Sequence, residues 1–249
     1  MAQSSKVTQI YDDYVAHLNA EKSKRYDGKE EWFHSSSAGM CARKHYYSSV
    51  EKVQTPEISP DTLRLFRLGD VLHKDIQDAV QWYASNNGAR IFIEKELYIH
   101  DLNVRGFIDL VMVDDGVLYD IKSCNYWKWR TIFGKTHYDP NSVKNYMMQT
   151  ATYAHWYNTY YVQTKSKLKI KSMALLFYNK NDSKMRELEV PMSMVDEAVE
   201  YWERVNSSVK EGVPPVELGF APVLKWECNE KYCSYFEPCG GGLLAQQKK

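Results

Sequence analysis

The stretch Gly106-Phe-Ile-Asp-Leu-Val-Met-Val-Asp-Asp-Gly-Val-Leu-Tyr-Asp-Ile-Lys122 reads as two β-strands joined by a tight turn. Aliphatic, β-branched and aromatic residues fill both arms, and Asp114-Asp115-Gly116 supplies the turn. Asp120 and Lys122 lie two apart on the second arm, so their side chains leave one face. Asp109 lies on the first arm, within a residue or two of the position opposite Asp120. Cross-strand neighbours sit roughly 4.5–5.5 Å apart at Cβ, near enough for two carboxylates to share one cation. Two acids and a lysine on an otherwise apolar strand pair are costly without compensation, and a divalent ion supplies it. A solvated hairpin whose charges merely pair is the plainer reading of these three residues taken alone.

The pattern outward from this hairpin predicts an α/β fold. Residues 90–99 form a third strand of the meander, set off by His100-Asp101, and strands at 169–178 and 185–190 flank a turn at 179–183. Helical spacing marks 6–22, a long helix opened by Ser59-Pro60-Asp61, then 141–161 and 193–210, the last stopped by Gly212. Leu65, Leu68, Leu72, Ile76, Val80 and Tyr83 are the expected apolar stripe of the long helix. Ser35-Ser36-Ser37 offers an N-cap to a short helix containing Cys41. The order is helices, strands, helix, strands, helix: a mixed sheet with helical elaboration in front.

Polar residues on the helices add candidates. His73 lies inside the long helix, and Gly69 four residues before it implies that another backbone approaches closely. Gln149 and Tyr153 share one face of the helix after the hairpin.

At 249 residues with 44% hydrophobic and 14% aromatic content, the chain buries a full core. Lys plus Arg balances Asp plus Glu at 32 each, so any polyanion must be met by a local basic patch. Asn125-Tyr126-Trp127-Lys128-Trp129-Arg130 interleaves rings and cations, as single-strand binding does; a loop packed by its tryptophans is the alternative. Lys165, Lys167, Lys169 and Lys171 alternate onto one strand face, suiting phosphate contact or a defended sheet edge. No secretory leader and no bilayer-length apolar run is present, so a cytoplasmic protein with no membrane partner is expected.

The five cysteines, odd in number, argue for metal binding over disulfides. Cys228, Cys233 and Cys239 cluster near the C-terminus, and Cys41 is a better fourth ligand than Cys124, which follows the acidic strand. Four thiolates suit zinc or an iron–sulfur cluster, and three together with one distant fit a cluster better. Such a site would staple the chain's two ends.

Cys-x-Arg-Lys-x-Tyr-Tyr at 41–47, Gly-x-x-x-His at 69–73, Gly-x-Ile-Asp at 106–109, Asp-x-Lys at 120–122, Gln-x-x-x-Tyr at 149–153 and the cysteine triplet follow in order. This resembles the RecB-like iron–sulfur branch of the PD-(D/E)XK nucleases, which includes CRISPR-associated RecB-like exonucleases and the AddB nuclease domain. The resemblance implies one restriction-endonuclease-like domain over 1–249: a helical part at 1–88 with Cys41 and His73, a nuclease core at 89–211, and a cysteine region at 212–249. It implies a metal-dependent DNA exonuclease preferring single strands or free ends. His73, Asp109, Asp120 and the carbonyl of Ile121 would hold Mg²⁺ or Mn²⁺. Lys122 would position water or stabilise the phosphorane, and Gln149 and Tyr153 would orient the lysine and the DNA. Glu96 is an outer candidate, for which a structural role is expected. Cys41, Cys228, Cys233 and Cys239 would hold a [4Fe-4S] cluster, with Zn²⁺ as the alternative. Four residues separate Cys228 from Cys233 where relatives often have two, which bears on cluster type. The likeness also points to a bacterial, archaeal or phage-infected cell, and to partners in recombination, repair or CRISPR adaptation. A non-catalytic iron–sulfur or zinc DNA-binding or adaptor protein is the competing expectation.

Overall fold

The computed structural model describes residues 6–24, 32–52, 57–135, 139–162, 168–215 and 227–241. In chain order these form α1 (Lys6–Lys24), β1 (Phe33–His34), a 3₁₀ turn at Ser35–Ser37, α2 (Ala42–Ser49) and α3 (Pro60–Asn87). The meander β2 (Ile91–Ile99), β3 (Val104–Met112) and β4 (Val117–Cys124) follows, then α4 (Tyr126–Phe133) and α5 (Lys144–Trp156), which a π turn extends through Tyr161. The hairpin β5 (Ser172–Asn179) and β6 (Met185–Val190) precedes the last helix, α6 (Met194–Glu211).

The mixed α/β sheet with helices in front is the fold expected. β3 pairs antiparallel with β2 along nearly its whole length, while β1 (parallel) and β4 (antiparallel) take opposite ends of its other edge. β4 runs parallel to β5, a pairing that needs a crossover, which α4 and α5 supply. β6 closes the sheet against β5. Because β1 contacts only residues 104–105 of β3 and β4 only 110–112, residues 106–109 face a gap between the two partner strands. The candidate site lies at this gap.

The principal core lies between the sheet and helices α5 and α6. Leu118, Leu175, Phe177, Tyr157 and Trp202 are fully buried there. Trp202 also satisfies its ring N–H by donating to the Thr152 hydroxyl at 3.0 Å. A smaller cluster of Tyr46, Tyr47 and Cys239, with Tyr235 against it, joins α2 to residues 227–241.

Local signals explain the element ends. Ser59 caps α3 and Pro60 opens it, while Gly88 ends it in the left-handed region at φ 66°. Gly212 ends α6 in the same way at φ 68°. Among the described residues no helix is long and apolar enough to cross a membrane.

Four expectations are corrected. The short helix begins after Cys41, which occupies the N-cap, while the three serines form the preceding 3₁₀ turn. The segment at 125–130 is a helix, capped by the Asn125 side chain accepting from the Lys128 amide at 2.8 Å. β5 begins at Ser172, so Lys169 and Lys171 precede it, and Lys165 and Lys167 lie outside the described residues. The outer part of the α3 stripe is open to solvent: Leu65, Leu68 and Tyr83 are exposed, and only Gln77 and Ala84 are buried.

Gly69 is a further correction. No atom lies within 4 Å of where its Cβ would be, so no backbone approaches there. Gly69→Ala is therefore expected to stabilise the fold by roughly 0.5–1 kcal/mol, from lost unfolded-state freedom and better helix propensity. Thermal melting checks this, and a lower melting temperature would mean that the space is filled.

Candidate active site

The tight turn between β3 and β4 aligns Leu110 with Tyr119. One step further along both strands, Asp109 falls opposite Asp120. There the ladder ends, and the Asp109 side chain takes over its function: Oδ2 accepts from the Ile121 amide at 2.8 Å. Asp109 is also held from α3, where buried Gln77 donates its Nε2–H to the Asp109 carbonyl at 3.0 Å. One turn before Gln77, His73 brings Nδ1 to 3.6 Å from Asp109 Oδ1, an ion-pair contact too long for a hydrogen bond.

Asp120 is wholly buried, and neither of its carboxylate oxygens has a hydrogen-bond partner. The Lys122 ammonium stands 2.6 Å from Asp120 Oδ2, close in charge but outside hydrogen-bond angles. Burial dominates the carboxyl and pushes its pKa up to about 6 despite that neighbour. Burial also opposes charge on Lys122, but Asp120 and Asp109 outweigh it and raise the lysine above its ordinary value. Burial works against ionising Asp109 too, yet His73 and Lys122 hold it below the usual carboxylate range. The same pairing raises His73 against its own desolvation. Charge is thus concentrated where water is scarce, and the Asp120 oxygens have the Lys122 ammonium close by but no well-aligned hydrogen bond.

A third layer positions the lysine. Lys122 Nζ donates to Gln149 Oε1 at 3.2 Å and lies 5.1 Å from the centre of the Tyr146 ring. Gln149 Nε2 donates to the Tyr153 hydroxyl at 2.8 Å, and Ser35 Oγ donates to the same oxygen at 2.9 Å. This chain of donors explains Gly106: a Cβ there would lie 2.0 Å from Ser35 Oγ and 2.9 Å from Tyr153 Cε1. Tyr153→Phe leaves two buried donors without an acceptor, an expected loss of about 1–3 kcal/mol in stability. Through Gln149 and Lys122 it should also lower the rate of any chemistry at Asp120 by roughly 10–100-fold. Melting and turnover measured on one preparation check both effects.

Of the candidates named from sequence, His73 meets Asp109, and Lys122 links Asp120 to Gln149 and through it to Tyr153. Sequence reasoning missed Gln77, legible only as the residue four after His73, and Ser35, for which no local signal exists. Glu96 accepts from the Tyr98 hydroxyl at 2.6 Å. Tyr126 and Trp127 are exposed on α4, and half-buried Arg130 lies over both rings. Trp129 turns into the core, and the Lys128 ammonium donates to the Ser142 carbonyl at 2.5 Å.

A second constellation lies at α2. Cys41, Cys228, Cys233 and Cys239 line one small cavity with Arg43, Lys44, Tyr47, Glu227 and Tyr235. Lys44 and Glu227 form an ion pair at 2.6 Å beside it. Burial pushes the Cys41 thiol up to about 11, with Glu227, Cys239 and Cys228 adding to the shift. Cys124 is apart from them, buried in the principal core.

Among the described residues, no three His, Cys, Asp or Glu side chains converge as a ready-made single-ion site. The donor chemistry nevertheless fits two groups. A hard divalent cation suits the orphaned Asp120 oxygens beside a second carboxylate, and a thiolate-bound group suits four cysteines around one cavity.

No protein-family model and no curated protein matches the chain. Among solved structures, SSO0001 is 17% identical with a TM-score of 0.56, over 93% of this chain and 96% of that one. At that identity the likeness shows a shared fold. An alkaline exonuclease (LHK-Exo) from Laribacter hongkongensis is 14% identical, with a TM-score of 0.46 over 76% of this chain and 93% of that one. The same exonuclease in complex with dAMP gives 15% identity and a TM-score of 0.38, over 73% and 93% of the two chains.

Proposed function

We propose that the chain is a metal-dependent DNA nuclease of the PD-(D/E)XK type, an exonuclease preferring single-stranded ends. The observation that carries this reading is the carboxylate pair: Asp109, fixed on the Ile121 amide, stands one ladder step from Asp120, whose buried oxygens make no well-aligned hydrogen bond. One ammonium, 2.6 Å from Asp120, is shared by two carboxylates, a charge imbalance that a bound divalent cation would relieve.

On this reading Asp109, Asp120, His73 and the Ile121 carbonyl hold Mg²⁺ or Mn²⁺. The bound ion supplies a water of lowered pKa and neutralises charge on the scissile phosphate. Lys122, held cationic between two carboxylates, presents its Nζ–H donors to the attacking water or to the phosphoryl oxygens as charge develops. Gln149 fixes the ammonium, Tyr153 and Ser35 fix Gln149, and Gln77 fixes the strand that carries Asp109. The domain reading follows: residues 1–88 contribute His73 and Cys41, 89–211 the remaining active-site groups, and 212–249 three cysteines.

The four-cysteine cavity supports a [4Fe-4S] cluster as a structural staple. Cys41 and Cys239 are buried and Cys228 and Cys233 half-buried around that cavity. Burial and the neighbouring thiols oppose ionisation of Cys41, which a cationic centre would favour.

The test is cleavage of end-labelled single-stranded and duplex DNA by protein prepared without oxygen, in Mg²⁺, Mn²⁺ or EDTA. Cutting in metal and not in EDTA is expected, with single strands consumed first. No cutting by cluster-loaded protein in any metal would favour the non-catalytic DNA-binding reading.

A further inference from the structure

We infer that the first turn of α4 is a stacking platform for unpaired bases, receiving a DNA single strand beside the catalytic strand. The inference rests on the nuclease reading only for the identity of the polyanion. β4 carries Asp120 and Lys122 and runs into α4 with Asn125 alone between them, so the helix starts at the end of the active strand.

The helix is anchored along one side. Ile132 is buried, Trp129 and Phe133 pack at 4.7 Å between ring centres, and Phe133 meets Phe177 at 5.7 Å. Its first turn is pinned twice, by the Asn125 cap and by the Tyr126 amide donating to Asn181 Oδ1 at 2.7 Å. On this fixed support Trp127 is 70% exposed and Tyr126 44%. Leaving a tryptophan ring in water forgoes apolar burial that a folded chain usually takes.

Arg130 completes the platform. Its guanidinium carbon lies 5.7 Å from the centre of the Tyr126 ring and 5.8 Å from that of Trp127. Two rings and a planar cation on one rigid turn meet bases by their faces and phosphates by charge. In a duplex every base face except those of the two terminal pairs is covered by its neighbours, so this arrangement favours single strands.

Binding is measured in EDTA, where hydrolysis stops, with fluorescein-labelled oligothymidylate and a blunt duplex of equal length. Trp127→Ala is expected to weaken oligothymidylate binding by roughly 5–150-fold, the range for one lost stack, and to lower the ratio of single-strand to duplex affinity. Trp127→Phe should restore most of that ratio, which a merely structural residue would not do. Quenching of tryptophan fluorescence by oligothymidylate, diminished in Trp127→Ala, supports the same conclusion. Because no metal is present, the result is independent of cleavage. A protein that cuts DNA but whose Trp127→Ala form binds both oligonucleotides as before would overturn the platform and leave the nuclease reading. A protein that never cuts yet loses oligothymidylate in Trp127→Ala would keep the platform and remove the nuclease. Equal loss for single strand and duplex overturns it, as does binding of neither oligonucleotide by the unaltered protein.

Discussion

Asp120→Asn is expected to lower metal-dependent DNA cleavage by at least about a thousandfold, some 4 kcal/mol of transition-state stabilisation. The substitution keeps shape and removes charge at a fully buried carboxylate whose oxygens make no well-aligned hydrogen bond. The variant also removes the buried ion pair of Asp120 with Lys122 at 2.6 Å, leaving the ammonium to Gln149 and Asp109. The metal-free protein should therefore melt several degrees lower while remaining folded. Calorimetric Mn²⁺ titration separates cause from effect: the unaltered protein should bind an ion that the variant has lost. Unchanged cleavage would remove Asp120 from the chemistry. Lost cleavage with unchanged Mn²⁺ affinity would make it something other than a ligand.

The centre of the fold was legible because two short-range rules meet there. The turn length at 114–116 sets the register that puts Asp109 opposite Asp120, and period-two alternation puts Lys122 with Asp120. Gln149 and Tyr153 followed from helical spacing, and their hydrogen bond at 2.8 Å shows that spacing at work. What escaped depends on tertiary contact. Ser35 reaches Tyr153 across 118 residues of chain, and nothing local to a serine triplet announces it. The role of Gly106 is the same fact seen from the strand.

Other misses came from weak or misleading local signals. Trp, Tyr and Phe are middling helix formers, so α4 looked like a loop although its Asn125 cap was in plain view. The α3 stripe looked like a buried face because apolar spacing shows amphipathicity and not what covers it; α1 and the sheet cover only part. Gly69 was explained by a neighbour that is not there.

The cysteine cavity carries the other large effect. Cys239→Ser removes one of four thiols from a joint that, among the described residues, also holds a tyrosine cluster on α2, the Lys44–Glu227 ion pair, and the Tyr46 hydroxyl donating to the Gly212 carbonyl at 3.0 Å. The stack of Tyr47 on Tyr235 is worth about 0.5–1.5 kcal/mol beyond its burial, and the ion pair adds little once its desolvation is counted. A group bound by both chain ends contributes its binding free energy to folding. Its loss should cost roughly 3 kcal/mol or more, which lowers the melting temperature by about 6–12 °C in a chain of this size. Protein made without oxygen should be brown and carry about four iron atoms, the content of a [4Fe-4S] cluster, and the variant should lose both. A colourless unaltered protein holding one zinc would change the metal and keep the staple. A metal-free unaltered protein whose melting Cys239→Ser does not alter would leave the two ends joined by side-chain packing alone, and the four thiols would then need another purpose.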